Sequence, residues 1–179
     1  MVTKKKAIFL DRDGVLVKSI IKNKKGYAPR NMKEFSLYPD IADACAKLKK
    51  KNYLLIIITN QPDLGEKLIE KKVFNKMNKT LNNLINYDKM YISKSHSSNS
   101  YFRKPNPGLF KLAINRYKID ISKCFMIGDR KSDIDAATKI NCKSIFIDRN
   151  YKEEKPKGQI AQVSSLKRAA DVILKRGEL

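Results

Sequence analysis

Long hydrophobic runs are missing from this chain of 179 residues: the longest purely aliphatic stretch is Leu54 to Ile58. That is far too short to span a membrane, so no membrane association is expected. The start, MVTKKKAIFL, has basic residues but only a short apolar stretch before Asp11, and it does not read as a signal peptide. Cysteine is scarce. Cys45, Cys124 and Cys142 are an odd number without close pairing, which argues against a disulfide framework and fits a reducing cytoplasm. Cys45 lies on an apolar helical stripe and the other two flank apolar strands, so all three read as small core residues. Internal repeats and long linkers are absent too.

Negative charge is in short supply: 18 Asp and Glu face 39 Lys and Arg, a formal net charge of +21. Such an excess invites a nucleic-acid reading. Yet 31 of the basic residues are Lys and only 8 are Arg, whereas base edges and bidentate phosphate contacts favour Arg. Lys, Asn and Ile all use A/T-rich codons, which accounts for part of the excess. Diffuse solubilising charge is the preferred reading, and a polyanion-binding surface the alternative. With 42% hydrophobic and 32% charged residues, the balance is that of a soluble globular protein. The length suits one domain over 1–179, with a core over 5–149 and a C-terminal helix near 165–175.

Apolar runs alternate with helical patterns. Strands are expected at Lys6 to Leu10, Tyr53 to Ile58, Lys89 to Ser93, Cys124 to Ile127 and Ser144 to Ile147. Ile41, Ala44, Cys45 and Leu48 follow helical spacing. A second helix is expected over Leu68 to Ile85, with Val73, Met77, Leu81 and Leu84 on one face. Further helices are expected over Leu109 to Tyr117, opened by Pro107, over Ser132 to Ile140, with Ser132 or Asp133 as a cap, and over Ser165 to Lys175. Buried strands separated by helices predict a doubly wound, Rossmann-like α/β domain: a parallel sheet with helices on both faces and no separate cap domain. Residues 18–38 read as a basic hairpin or flap, and 150–160 as a charged, mobile loop.

Ligands in open α/β sheets sit at the carboxyl ends of the strands. There the chain places Asp11-Arg12-Asp13-Gly14, Thr59-Asn60-Gln61, and Asp129-Arg130 with Asp133, while Arg103-Lys104-Pro105 precedes the third helix. Taken singly, each could be a turn or a capping residue. Together they bring Asp11, Asp13, Asp129 and Asp133 into one crevice, where the carboxylates would repel one another unless a divalent cation joined them. Mg²⁺ favours a few carboxylates plus water and phosphate oxygens. Thr59, Asn60 and Lys104 add a hydroxyl, amide donors and a fixed positive charge. The set reads as a phosphoryl clamp, and a carboxylate nucleophile offers a route through an aspartyl-phosphate.

The order FLDRDGVL, TNQ, RKPNPG and MIGDRKSD resembles the haloacid-dehalogenase (HAD) superfamily of phosphatases. It is similar to the small-capped group that includes heptose bisphosphate and histidinol-phosphate phosphatases. The resemblance implies that Asp11 is the nucleophile and a Mg²⁺ ligand. Asp13 would be the general acid and then the base, with its backbone carbonyl a further ligand. Thr59 and Asn60 would hold phosphate oxygens. Arg103 and Lys104 would bind the transferring phosphate, with Arg130 near the substrate. Asp129 would ligate Mg²⁺, supported by Asp133.

One departure stands out. Many heptose-type relatives carry a Cys-x-His and Cys-x-Cys zinc loop before RKP. Here that loop reads SKSHSSNSYFRKP: Ser93 lies near the first Cys place, Ser100 and Phe102 occupy later ones, and only His96 remains. One imidazole cannot make a four-coordinate structural site, so no zinc is expected. The loop should then be held by packing of Tyr101 and Phe102, or be mobile. The favoured function is a cytoplasmic, monomeric, Mg²⁺-dependent phosphatase of a small sugar phosphate such as a heptose bisphosphate in surface-polysaccharide synthesis. Polynucleotide 3′-phosphatase, which would bring nucleic acid in as a partner, and histidinol-phosphate phosphatase are the enzymatic alternatives. A polyanion-binding protein that keeps only the fold is the non-enzymatic one.

Overall fold

The five apolar runs form the parallel sheet expected of them. The computed structural model describes residues 4–176. The first strand, β1 (Lys6–Leu10), is followed by a two-stranded hairpin, β2 (Ile20–Lys22) and β3 (Lys25–Tyr27). Next come α1 (Ile41–Lys50), β4 (Tyr53–Asn60), α2 (Pro62–Gly65), α3 (Lys71–Ile85) and β5 (Lys89–Ser93). The chain continues with α4 (Gly108–Tyr117), β6 (Phe125–Gly128), α5 (Lys131–Thr138), β7 (Lys143–Ile147), β8 (Ala161–Val163) and α6 (Leu166–Arg176). The sheet order is β5-β4-β1-β6-β7-β8, with every pairing parallel.

Strand side chains alternate between two apolar layers. Ile8 and Leu10 of β1 face a core with α1 and α6, while Ala7 and Phe9 face one with α4 and α5. In β4, Leu55 and Ile57 join the first layer and Ile56 and Ile58 the second. Cys45, Cys124 and Cys142 are buried free thiols in these cores. No helix among the described residues is long and apolar enough to cross a membrane.

Four local expectations need correction. The second long helix starts at Lys71, and Leu68 lies before it, exposed. Its buried stripe is Phe74, Met77, Leu81 and Ile85, whereas Val73 is only partly buried and Leu84 is exposed. Phe74 packs with Ile69 and Met77, and the Arg12 guanidinium lies 5.0 Å from its ring centre, while Val73 sits at the edge of that cluster. At the start of α5, the N-cap is Arg130; the Asp133 Oδ2 accepts from the Arg130 backbone N–H at 3.0 Å, one half of a capping box. Residues 150–160 are not a free loop. Tyr151 and Pro156 are buried, the Lys152 N–H donates to the Lys24 carbonyl at 2.8 Å, and β8 follows immediately. This segment lies against the β2–β3 hairpin, whose turn uses Asn23 and Lys24 at positive φ.

Candidate active site

Parallel register sets the strand tips level with one another. Leu10 pairs with both Ile57 and Ile127, so the next residues along each strand emerge together. Asp11 follows β1, Thr59 and Asn60 end β4, and Asp129 follows β6. The Asp11 N–H donates to the Ile127 carbonyl at 2.9 Å, which fixes the tip of β1 against β6. Oxygens of Asp11, Asp129 and Asp133 lie within 4.8 Å of one another, and all three residues are buried.

Lys104 reaches this cluster from the loop before α4. It is 3% exposed, and its Nζ lies 2.7 Å from Asp11 Oδ1, 2.7 Å from Asp133 Oδ1 and 2.6 Å from the Ile58 carbonyl. Burial works against this charge, but Asp11 and Asp133 outweigh it and hold the ammonium pKa above its ordinary value. Asn60 fixes Lys104 by a reciprocal amide pair: its Nδ2 donates to the Lys104 carbonyl at 3.1 Å and its Oδ1 accepts from the Lys104 N–H at 3.0 Å. In this geometry the Asn60 side chain is engaged with Lys104 on both of its groups.

Asp129 differs from its neighbours. It is 2% exposed, and neither of its carboxylate oxygens accepts a hydrogen bond. The Tyr151 hydroxyl is close enough to bear on its charge, yet it too lacks a hydrogen bond of normal geometry. Burial, then the charges of Asp11 and Asp133, push the Asp129 pKa well above the usual carboxylate range. Burial also raises Asp133, which Lys104 opposes, to about 6. A buried carboxylate without a donor is rare and calls for a cation. The three carboxylates therefore fit a hard divalent ion.

The carboxylate of Asp13 stands apart from this trio. Its Oδ1 accepts from Arg12 Nη1 at 2.5 Å and its Oδ2 from Gln61 Nε2 at 2.5 Å. Gln61 Nε2 also reaches Thr59 Oγ1 at 2.9 Å. Arg12 and Gln61 were not singled out from sequence, although both sit inside the motifs that carry the resemblance.

Two glycines make the close approach possible. Gly14 has φ +89°, and a Cβ there would collide with the Asp129 carboxylate; a Cβ at Gly128 would collide with the Asp133 side chain. Gly14→Ala is expected to cost at least about 2 kcal/mol of stability and to lower turnover, from backbone strain and steric overlap together. Chemical denaturation checks this, and an unchanged midpoint would remove the close-packing argument.

The crevice holds about 520 Å³ and is lined by Asp11, Asp13, Thr59, Asn60, Lys104 and Asp133 at its base, with Arg103, Arg130, Tyr27 and His96 around it. Burial, then the nearby charge of Arg130, lower the Arg103 pKa. Arg130 donates to the Gly26 carbonyl of the hairpin, lies 3.4 Å from Glu153 and stacks on Tyr151 with 5.6 Å to the ring centre. His96 is an exposed rim residue 3.5 Å from Glu66.

The serine-rich loop is held differently from expectation. Tyr101 and Phe102 are largely exposed; their rings meet edge to face with centres 5.5 Å apart and lie over Gly108. The loop is instead tied by backbone acceptors. Asn106 Nδ2 donates to the Ser98 and Ser100 carbonyls at 3.0 Å each, and Arg103 Nη1 to the Ser95 carbonyl at 2.8 Å.

A family model described as HAD-hydrolase-like matches residues 101–171. D-glycero-beta-D-manno-heptose-1,7-bisphosphate 7-phosphatase of Helicobacter pylori is 31% identical over 141 residues, covering 75% of this chain and 78% of that protein. The chain belongs to the HAD-like phosphatases. Another such phosphatase, the heptose bisphosphate enzyme of Yersinia pestis, is 27% identical and covers 93% of this chain and 92% of its own. The bifunctional histidine-biosynthesis protein HisB of Bacteroides fragilis is 30% identical, but this chain spans only 42% of its length. In fold, the chain is similar to a B. bronchiseptica D,D-heptose 1,7-bisphosphate phosphatase crystallised with magnesium and phosphate. The TM-score is 0.79 at 22% identity, covering 96% and 99% of the two chains.

Proposed function

We propose that this HAD-like phosphatase hydrolyses a sugar phosphate with Mg²⁺, and that D-glycero-D-manno-heptose 1,7-bisphosphate is the first candidate. The observation that carries the reading is the juxtaposition of a lysine-paired Asp11 with an Asp129 carboxylate that has no donor. Asp11, Asp129 and Asp133 would hold the ion, with the Asp13 carbonyl as a further candidate ligand. Bound there, Mg²⁺ supplies positive charge that draws phosphate oxygens in and offsets the carboxylates.

The protein's own groups divide the rest of the work. Lys104 Nζ occupies Asp11 Oδ1, which leaves Oδ2 as the nucleophilic oxygen. A bond forms from that oxygen to phosphorus as the bond from phosphorus to the sugar oxygen breaks, and Asp13 gives its proton to the leaving oxygen. Asp13, now a carboxylate, takes a proton from water. The water oxygen bonds to phosphorus, the link to Asp11 breaks, and inorganic phosphate departs. The Thr59 hydroxyl, tied to Gln61, is placed to donate to a phosphate oxygen.

Names of relatives favour a heptose bisphosphate, and the rim favours a substrate with a second anionic group. Arg103 and Arg130 carry like charges close enough to repel, and an anion between them relieves that repulsion. The scattered lysines fit steering of anions toward the crevice. The test is phosphate release with Mg²⁺ from heptose bisphosphate, histidinol phosphate and 3′-phosphorylated oligonucleotides. We expect the bisphosphate to give the highest kcat/KM, by at least about tenfold, and EDTA to abolish turnover until Mg²⁺ is restored. Preference for the oligonucleotide would transfer the reading to a nucleic-acid end, and indifference to EDTA would remove the metal.

A further inference from the structure

Arg12 takes no direct part in that chemistry, yet its side chain is 0% exposed. A buried guanidinium is costly unless every face is engaged, and an apolar side chain of similar volume often serves stability as well. Each end of this one is engaged. Nη1 donates to Asp13 Oδ1 at 2.5 Å, Nε donates to Asn78 Oδ1 at 3.0 Å, and Nη2 lies 3.6 Å from Met77 Sδ. The Phe74 ring centre lies 5.0 Å from the guanidinium carbon. Phe74, Met77 and Asn78 stand at i, i+3 and i+4 of α3, so one helix face forms the socket. Across the carboxylate, Gln61 holds Oδ2 and is itself held by Thr59.

We propose that Arg12, anchored by Asn78, is a positioning residue that, together with Gln61, sets the orientation of the Asp13 carboxyl for proton delivery to the leaving alcohol. This rests on the reading of Asp13 as acid and base given above. An aspartate carboxyl turns about two bonds, and donors on both of its oxygens stop both rotations. Proton transfer needs the acid within hydrogen-bond reach of the leaving oxygen. A displacement of about 1 Å can cost roughly 10²-fold in rate. A guanidinium offers donors only, so Arg12 fixes Oδ1 as an acceptor while Gln61 fixes Oδ2, and the plane of the carboxyl is set where Asp13 and Gln61 line the crevice.

The test compares leaving groups. An alkyl phosphate such as glycerol 2-phosphate needs its leaving oxygen protonated, whereas p-nitrophenyl phosphate releases a stable phenolate. The ratio kcat/KM reports steps up to departure of that group, so it isolates the acid role from the later hydrolysis common to both substrates. In Arg12→Met we expect kcat/KM on the alkyl phosphate to fall roughly 30-fold and on p-nitrophenyl phosphate by less than about threefold. Arg12→Lys should recover part of the alkyl loss. Asn78→Leu, which leaves the carboxylate's partners in place, should give the same asymmetry at about fivefold, and it carries the test if Arg12→Met does not fold. Equal losses on both substrates, or no loss in Asn78→Leu, would overturn the positioning role while leaving the phosphatase reading standing. Failure of the unaltered protein to release phosphate from either ester or from any compound of the heptose, histidinol and oligonucleotide panel would overturn both.

Discussion

Asp11→Asn should lower phosphate release by at least about 10⁴-fold while the fold persists. An amide oxygen is a feeble nucleophile and forms no stable phosphoryl ester, so the first step has no substitute route. Stability is a separate matter, because two effects oppose one another. Removing one partner of a buried ion pair usually costs about 3–5 kcal/mol, since the other charge is stranded. Here Lys104 keeps Asp133 at 2.7 Å and the Ile58 carbonyl at 2.6 Å, so it is not stranded. The change also removes a negative charge that raises the pKa of both Asp129 and Asp133. The two effects nearly cancel, and thermal denaturation should shift by no more than a few degrees. Appreciable residual turnover in a folded variant would take the nucleophile role away from Asp11.

The strand tips were legible in the sequence for a physical reason. A buried parallel strand is apolar throughout, so the first polar residue after it marks where the sheet ends and a ligand can sit. Asp11, Thr59 and Asp129 are found by that rule alone. Lys104 is not, because it lies in a loop; its place in the crevice follows from the fixed positive charge that a phosphoryl clamp needs and from the RKP wording of a resembling family. The face of α3 was misread for a related reason. Helical periodicity places Val73 and Phe74 on adjacent stripes, and the choice between them depends on what crosses the helix. What crosses it is Arg12, a charge that no hydrophobic pattern would place inside. The segment 150–160 was misread from composition. Its lysines and glutamates suggested solvent, but they pair with fixed partners: Lys155 with Asp148 at 2.5 Å and Arg130 with Glu153 at 3.4 Å. Tyr151 supplies the anchor, and a single aromatic residue in a charged run is a weak signal by itself.

The same segment explains how an open site can still have a shaped wall. The β2–β3 hairpin is too short to be stable alone. It is held from outside by the Arg130 side chain on the Gly26 carbonyl and by the Lys152 N–H on the Lys24 carbonyl. Gly26 lies against the Tyr151 ring, where a Cβ would overlap it. Tyr27 is thereby presented to the crevice. Arg130 thus has two roles open to it: it faces the substrate space, and it fastens the hairpin that borders that space.

Asp129→Asn should make the metal-free protein more stable and the enzyme inactive. In EDTA near pH 8 the native carboxylate is buried beside Asp11 and Asp133 with no donor on either oxygen. Asparagine removes the charge, and its amide can donate to the neighbouring carboxylates. The gain should be about 1–3 kcal/mol. At roughly 2–4 °C per kcal/mol for a chain of this size, Tm rises by several degrees. The gain depends on pH in a definite direction. Burial raises the native pKa of Asp129 above its unfolded value, so the native state holds a proton where the unfolded state has lost it. The native protein therefore loses stability as pH climbs from about 4 toward and through that raised pKa. The variant lacks this loss, so its advantage should shrink toward pH 5 and widen toward pH 8. Mg²⁺ acts in the opposite direction. At a hundredfold excess over Kd it would stabilise the native protein by about 2.7 kcal/mol, and the variant, short of one ligand, far less. Differential scanning fluorimetry at two pH values, with EDTA and with Mg²⁺, reads all four states. A variant less stable than the native protein in EDTA at pH 8 would contradict the uncompensated carboxylate, and equal Mg²⁺ shifts in both would remove Asp129 from the metal site.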